Sequence, residues 1–204
     1  MKKVSLFLFL CLSLSVFSGL IFKDEKVVTP NVCLSKDELK LYNLINEYRK
    51  KNKLPVIPLS KSLTYVAQQH CIDLQKNQPD LGADCNAHSW SAKGKWTACC
   101  YTADHKQAEC MWNKPKEMTS YTDIGFEIAA GSSKPEYGGG TFVMTPEEAL
   151  KMWQGSVHHN DVILNKDIWK DRKWNAIGVG IYKSFSVVWF GSTLDKEVVP
   201  VVCK

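Results

Sequence analysis

Residues 125–131, Gly-Phe-Glu-Ile-Ala-Ala-Gly, place one carboxylate, that of Glu127, among apolar and small neighbours. Two further short segments of the same kind contain histidines. Residues 86–90, Asn-Ala-His-Ser-Trp, contain one histidine, and residues 153–159, Trp-Gln-Gly-Ser-Val-His-His, end in two. If the fold brings these three segments together, their imidazoles and carboxylate form a metal site or an acid–base site inside a cleft.

The first half of the chain carries two helix signals. Ser35 and Glu38 form a capping box ahead of an amphipathic helix that Pro55 ends. A second helix is predicted from Ser60 to Pro79. Its apolar positions, which recur at helical spacing, are Leu63, Val66, Ala67, Cys71 and Leu74.

The second half combines a helix with strands. Residues 145–148, Thr-Pro-Glu-Glu, form the clearest helix start in the chain. Alternating apolar residues at 177–181 and an apolar run at 187–190 predict two strands of a hairpin, and a further strand is expected near Ile128. Between the halves, residues 80–121 have no sustained period, apart from a possible short helix over 104–112. The pattern predicts an α+β fold.

The N-terminus has the composition of a secretory signal. Lys2 and Lys3 precede an apolar run over 4–17, and the small residue Ser18 follows. We therefore expect residues 1–18 to be a signal peptide and the mature protein to be secreted, into the extracellular or periplasmic space. A membrane anchor is the alternative, but the run contains several serines and is shorter than the ~20 apolar residues of a span. No integral membrane segment is expected after processing.

Seven cysteines follow the predicted signal, and in an oxidising compartment they indicate disulfides. Cys33 and Cys203 lie near the two ends, so a bridge between them would close a very long loop, worth up to ~5 kcal/mol. The pairing of the other five is left open by the sequence. Their odd number leaves one thiol over, so a monomer and a disulfide-linked dimer are both open.

About 185 residues remain after the predicted signal, and they are expected to form a single domain over residues 33–204. Loss of Lys2 and Lys3 with the signal lowers the net charge from +5 to about +3. The basic residues form no concentrated run, so nucleic acid is not expected as a partner.

The motifs in this order resemble the superfamily of cysteine-rich secretory, antigen 5 and pathogenesis-related 1 proteins, whose domains are called CAP or SCP. The resemblance covers about residues 35–193. It rests on the two opening helices, the His-Ser of 86–90, the Gly-x-Glu-Ile-Ala-x-Gly of 125–131, the Trp-x-x-Ser-x-x-His of 153–159 and the two closing strands. The pattern is that of the bacterial type. It implies an α-β-α sandwich with a small antiparallel sheet between helices and a large open cleft.

The resemblance also implies which residues line the cleft. His88 matches the first histidine, Glu127 the signature glutamate and His159 the histidine after Trp-x-x-Ser. Ser156 stands where many eukaryotic members have a second glutamate, and their late Gly-His-Tyr-Thr-Gln motif is absent. The expected cleft residues are therefore His88, Glu127, Ser156 and His159.

Two neutral imidazoles and one carboxylate suit three positions of Zn²⁺ and leave the fourth open. The sequence thus predicts a site for zinc or another divalent metal formed by His88, Glu127 and His159. The alternative is a polar network that stabilises the fold without a ligand. His70, in the second helix, is interpreted as a surface or boundary residue, and His105 with Glu109 as a pair on a helix surface.

The preferred function is a secreted binding or interaction module whose cleft takes a divalent metal, a small molecule, a lipid or a protein ligand. A metal-assisted, peptidase-like hydrolase is one alternative, because three ligands leave an open metal position. A lipid or sterol carrier is another. No complete catalytic constellation is visible, so a binding role is preferred to an enzymatic one, and no catalytic residue is assigned.

Overall fold

The computed structural model describes residues 27–204. The predicted signal peptide, residues 1–18, and the predicted mature start near Gly19 lie outside the described residues. Among the helices of residues 27–204, none has both the length and the apolar character needed to cross a membrane.

Six helices lie in the described part of the chain: α1 (Lys36–Lys51), α2 (Lys61–Asn77), α3 (Ala108–Trp112), α4 (Lys114–Met118), α5 (Pro146–Gly155) and α6 (Val157–Leu164). The predicted capping signals begin three of them. Ser35 and Thr145 each form a full capping box, and the Ser60 side chain accepts a hydrogen bond from the backbone N–H of Leu63. The helix predicted over 104–112 is shorter than expected, because the chain becomes helical only at Ala108.

Five strands form two sheets: β1 (Cys33–Leu34) and β5 (Val201–Val202) pair in parallel, whereas β2 (Gly125–Ala130), β3 (Ala176–Tyr182) and β4 (Phe185–Gly191) form an antiparallel sheet. The order of the larger sheet is β2-β4-β3, so β4 is central and β2 is an edge strand. The predicted hairpin and the predicted strand near Ile128 are confirmed.

Helices cover both faces of the larger sheet. Successive residues of a strand point to opposite faces, and β4 shows this directly. Val188 and Phe190 join a core with α1, α5 and α6, whereas Val187 and Trp189 join a second core with α2. The α-β-α arrangement that the resemblance implies is therefore present.

Two glycines let α2 lie unusually close to the sheet. A Cβ at Gly178 would lie 2.0 Å from the backbone carbon of Leu63, and a Cβ at Gly180 would lie 2.5 Å from that of Ala67. Backbone atoms cannot swing aside as a flexible side chain can. The alternation of glycine with apolar residues in β3 therefore sets the distance between α2 and the sheet.

Three disulfides are present in the described residues: Cys33–Cys203, Cys85–Cys100 and Cys99–Cys110. The first is the predicted tie between the two ends. The other two hold the irregular segment that runs from α2 to α3. Among the described cysteines Cys71 is unpaired, and it is fully buried in α2. A disulfide-linked dimer through this thiol does not fit the structure, since the folded chain leaves it inaccessible.

Candidate functional site

Glu127 lies on the edge strand β2 with its side chain fully buried. Its neighbours Phe126 and Ile128 belong to the core beside α1, so Glu127 faces the opposite layer, which contains α2. Two imidazoles meet it there. His70 Nδ1 lies 2.5 Å from Oε2, and His88 Nδ1 lies 2.7 Å from Oε1. Both oxygens of the carboxylate are therefore engaged.

His88 reaches Glu127 from a tight turn. The side chain of Asn86 accepts a hydrogen bond from the His88 backbone N–H at 3.0 Å, and the Asn86 backbone carbonyl accepts one from Ser89. An asparagine in this position forms a turn with its own side chain. The Cys85–Cys100 disulfide begins beside this turn. The His88 side chain remains 20% exposed, so it forms part of the cleft surface.

The interpretation of His70 as a surface or boundary residue is wrong. Its side chain is fully buried, and its ring stacks on Trp90 with the ring centroids 4.1 Å apart and the planes 7° from parallel. Its second nitrogen, Nε2, lies 2.9 Å from the backbone carbonyl oxygen of Ser89. His70 therefore connects α2, the turn that carries His88, and the glutamate of β2.

The two imidazoles also determine the acidity of Glu127. Burial raises the pKa of its carboxyl, but the charge and hydrogen bond of His70 and the hydrogen bond of His88 outweigh that effect. The pKa lies below the usual value for glutamate. The carboxylate is thus ionised at neutral pH, and both of its oxygens act as hydrogen-bond acceptors.

His159 lies on α6 and lines the same cavity as His88. Burial, with smaller contributions from the neighbouring charges of His88 and His158, lowers its pKa to about 4. Its imidazole is therefore neutral at pH 7. Ser156, which precedes α6, and the exposed His158 also line the cleft. The structure thus brings the four expected cleft residues to one cavity.

The cavity has a volume of about 570 Å³, within the range of small-molecule sites. Its wall is largely apolar and aromatic, and its chief members are Tyr101, Met111, Trp112, Phe126, Ile168 and Trp169. Because these side chains surround a few nitrogen and oxygen atoms, the site offers one polar region and one extended apolar surface.

His105 was expected to pair with Glu109 on a helix surface, and this expectation is wrong. His105 precedes α3 and has a left-handed backbone with a φ of 59°. Its Nδ1 lies 2.9 Å from the hydroxyl of Tyr101, and both side chains line the cleft. The sequence pattern predicted a helix that began one turn too early and so included His105. The contact of this histidine with the cleft was therefore missed.

A second depression, of about 750 Å³, lies beyond α2, between residues 27–30 and residues 93–96. It is larger than the cleft but contains none of the expected site residues. Its cations, Lys76, Lys93 and Lys95, are all exposed. Size alone therefore does not identify the site, whereas the buried carboxylate and the imidazoles of the cleft do.

A three-residue metal site does not fit the geometry around Glu127. Both of its oxygens face imidazole nitrogens at hydrogen-bonding distance, and its side chain is fully buried behind them, so the carboxylate presents no exposed oxygen to the cleft. Across residues 27–204, histidine, cysteine, aspartate and glutamate side chains form no group of three or more that could hold an ion. His88 and His159 retain nitrogens that a metal could use, and a carboxylate behind a histidine is a common supporting contact. Metal binding itself stays a prediction.

No protein-family model matches the sequence, and no curated protein matches it. Solved protein structures, however, do match the chain. The chain is similar to an extracellular protein containing a SCP domain from Bacillus anthracis str. Ames, with 18% identity and a TM-score of 0.51 over 77% of this chain and 40% of that one. It is also similar to a cysteine-rich secretory protein from Staphylococcus aureus subsp. aureus Mu50, with 13% identity and a TM-score of 0.46 over 77% of this chain and 38% of that one.

The chain spans about two fifths of the length of these two proteins. The likeness to the Bacillus protein concerns the fold, which the α-β-α layers and the order of the motifs support independently. The chain has the fold of an SCP domain, as the resemblance of its sequence motifs predicts.

Proposed function

We propose that this chain is a secreted SCP-fold binding module whose cleft takes a small organic ligand with an apolar body and a hydrogen-bond donor. One observation carries the proposal. Glu127 accepts a hydrogen bond from Nδ1 of His88, so Nε2 of that ring is left as an acceptor at the surface of an aromatic cleft. The neutral His159 adds a second imidazole to the same cavity.

Secretion is supported by the disulfides and by the N-terminal pattern. Six of the seven cysteines in the described residues are paired, which is typical of proteins from oxidising compartments. The segment that carries His88 is held by two of these bridges, so the cleft depends on them. Export to such a compartment is therefore part of the proposal.

Binding is favoured over hydrolysis because the cleft lacks a paired nucleophile and base. Ser156 and His159 lie three residues apart at the start of α6. Within the described residues no hydrogen bond joins their side chains. Glu127 contacts the two imidazoles through both oxygens, and its fully buried side chain is not exposed to water in the cleft. The arrangement holds the Nε2 acceptor of His88 in place, which suits recognition of a ligand that donates a hydrogen bond.

A matched pair of probes tests the proposal. The probe 2-naphthol has an apolar body and a hydroxyl donor, and 2-methoxynaphthalene has the same body without the donor. We expect saturable binding of 2-naphthol, measured by calorimetry, and about fivefold weaker binding of the methoxy compound, because one hydrogen bond contributes ~1 kcal/mol. Equal affinity of the two probes, or no saturable binding of either, would contradict the proposal.

Three variants locate the binding. His88→Ala removes the acceptor and is expected to weaken 2-naphthol about fivefold, for the same ~1 kcal/mol. His159→Ala is expected to weaken it less. Val157→Ala is the control on the same helix, because Val157 is exposed and does not line the cavity, and it should bind as the unchanged protein does. Zinc content of the unchanged protein, His88→Ala and His159→Ala tests the metal prediction separately, and equal, negligible zinc in all three would remove it.

A further inference from the structure

The second depression lies outside the cleft, and the proposed function does not use it. Its volume is about 750 Å³, which is within the range of small-molecule sites. One wall is the outer face of α2, where Tyr65, Ile72 and Lys76 recur at helical spacing. Residues 27–30, the loop of residues 93–96 and the end of α4 supply the other walls. A cavity of this size between four separate segments is a candidate binding site.

The lining of the depression includes an apolar surface. Tyr65 and Ile72 of α2 contribute to it, as does the indole ring of Trp96. Trp96 is held from two sides: its Nε1 donates a hydrogen bond to the backbone carbonyl of Ser91 at 2.9 Å, and its ring packs edge-on against Trp90 with the centroids 5.0 Å apart. Because the ring is held without a ligand, this wall needs little ordering when a ligand binds.

The two carboxylates of the lining already have partners within the chain. Asp73 is buried and accepts hydrogen bonds from the backbone and hydroxyl of Ser91 and from the amide of Asn77, at 2.5 to 2.8 Å. Glu117 pairs with the buried Lys114, whose Nζ lies 2.6 Å from Oε2. Neither carboxylate therefore pairs with a lysine of the depression.

Three lysines line the depression without such partners: Lys76, Lys93 and Lys95. All three are exposed, and within residues 27–204 none of them forms an ion pair. They outnumber the carboxylates of the lining three to two, and Lys114 balances one of those two. The depression therefore has an excess of positive charge beside an apolar surface, and an anion complements it.

The cleft has the opposite charge character. Glu127, Asp161 and Asp167 line it, and among the described residues no lysine or arginine does. Arg172, which lies over the ring of Phe126, is not part of the lining. An organic anion is therefore expected to enter the second depression rather than the cleft.

We propose that the second depression binds an organic carboxylate whose apolar body lies against Tyr65, Ile72 and Trp96 and whose charge faces the three lysines. An ammonium group acts as a point charge, without the fixed fork of a guanidinium. The site therefore selects for a negative charge on an apolar body rather than for one arrangement of oxygens. This inference concerns a different cavity from the proposed function and does not rest on it.

Two probes with the same body test the role of charge: the anion 2-naphthoate and the neutral 2-naphthamide. Side-chain N–H signals of the tryptophans in a ¹H–¹⁵N spectrum, each assigned by substitution with phenylalanine, report where a probe binds. Trp96 lines the depression, whereas Trp112 and Trp169 line the cleft. In the protein that starts at Gly19, we expect 2-naphthoate to shift the Trp96 signal saturably. We expect 2-naphthamide to bind about tenfold more weakly, because several exposed charge pairs each contribute a small factor.

The variant Lys93→Gln/Lys95→Gln removes two of the three charges and leaves the apolar wall intact. We expect it to weaken 2-naphthoate about fivefold and to leave 2-naphthamide unchanged. Lys151→Gln/Lys173→Gln is the matched control, because both lysines are exposed and line neither cavity. It should bind both probes as the unchanged protein does.

Equal affinities for the two probes, unchanged 2-naphthoate affinity in Lys93→Gln/Lys95→Gln, or shifts confined to Trp112 and Trp169 would each overturn the proposal. It is also overturned if 2-naphthoate binds only after residues 19–26 are removed, because the chain's own N-terminal residues would then be the occupant. Binding of 2-naphthol in the cleft is expected to shift Trp112 and Trp169 instead. Failure of the proposed function and failure of this inference are therefore separate results.

Discussion

At the scale of single residues, Glu127 shows how a buried charge can be accommodated on an edge strand. Its side chain is inaccessible to water, and the imidazoles on its two oxygens replace the lost solvation. The first prediction concerns Glu127→Gln, whose amide has nearly the same shape. One oxygen becomes an NH₂ group, so one imidazole nitrogen faces a donor.

We expect Glu127→Gln to lower the free energy of unfolding by about 3 kcal/mol, because a buried hydrogen-bonding group left without its partner costs ~1–3 kcal/mol and more where a charged group is involved. Urea unfolding at pH 7 measures this. Glu147→Gln is the matched control, because Glu147 pairs with Lys40 on the surface with about half of each side chain exposed. It should change the urea midpoint only slightly, because an ion pair exposed to solvent contributes little to stability. Equal effects of the two substitutions would contradict the account of Glu127.

Cys71 provides a second prediction at this scale. Burial, followed by the charges of Glu38 and Glu127, raises the pKa of its thiol. The reactive species is the thiolate, which forms as the pH rises through the pKa, so a raised pKa keeps the thiol unreactive to a higher pH. In the folded protein starting near Gly19 we expect almost no alkylation by iodoacetamide at pH 8, and one added label after unfolding with the disulfides intact. Mass spectrometry distinguishes the two, and full labelling of the folded protein would show that Cys71 is accessible.

At the scale of elements, the contact between α2 and β3 depends on glycine. The third prediction compares two glycine-to-alanine substitutions. A Cβ at Gly178 would overlap the backbone of Leu63, whereas a Cβ at Gly155, at the end of α5, has no atom within 4 Å. We expect Gly178→Ala to destabilise by about 3 kcal/mol or more, as overpacking does. We expect Gly155→Ala to be neutral or to stabilise by up to ~1 kcal/mol. Thermal unfolding checks both, and similar melting temperatures would contradict the close approach.

Helix α2 also shows what the sequence could and could not predict. The capping residues and apolar spacing of α2 are local, so its bounds were predictable. His70 follows Ala67 by three residues and precedes Leu74 by four, so it falls on the buried stripe, and that signal argued against a surface position. Its partner could not be predicted, because Glu127 lies 57 residues away on a strand. The pairings of Cys85 and Cys99 were open for the same reason, since the loop that carries them has no periodic pattern.

At the scale of the whole molecule, two disulfides are expected to have different roles. One mainly stabilises the fold, and the other maintains the geometry of the cleft. Cys33–Cys203 joins residues 170 positions apart, beside the short parallel pair of β1 and β5 and far in sequence from the cleft residues. Cys85–Cys100 joins residues 15 apart and starts beside the turn that holds His88. In the chain-entropy model the long loop contributes up to ~5 kcal/mol and the short one about 3 kcal/mol.

The fourth prediction is that the two bridges have opposite rankings in stability and binding. The double variant Cys33→Ser/Cys203→Ser should have the lower melting temperature of the two but bind 2-naphthol with unchanged affinity at a temperature where it is folded. Cys85→Ser/Cys100→Ser should lose less stability but bind more weakly, because a loosened turn no longer holds His88 against Glu127. Calorimetry and thermal unfolding on the same samples give both rankings. If binding falls in proportion to stability in both variants, the cleft depends on overall folding rather than on the turn that Cys85–Cys100 holds.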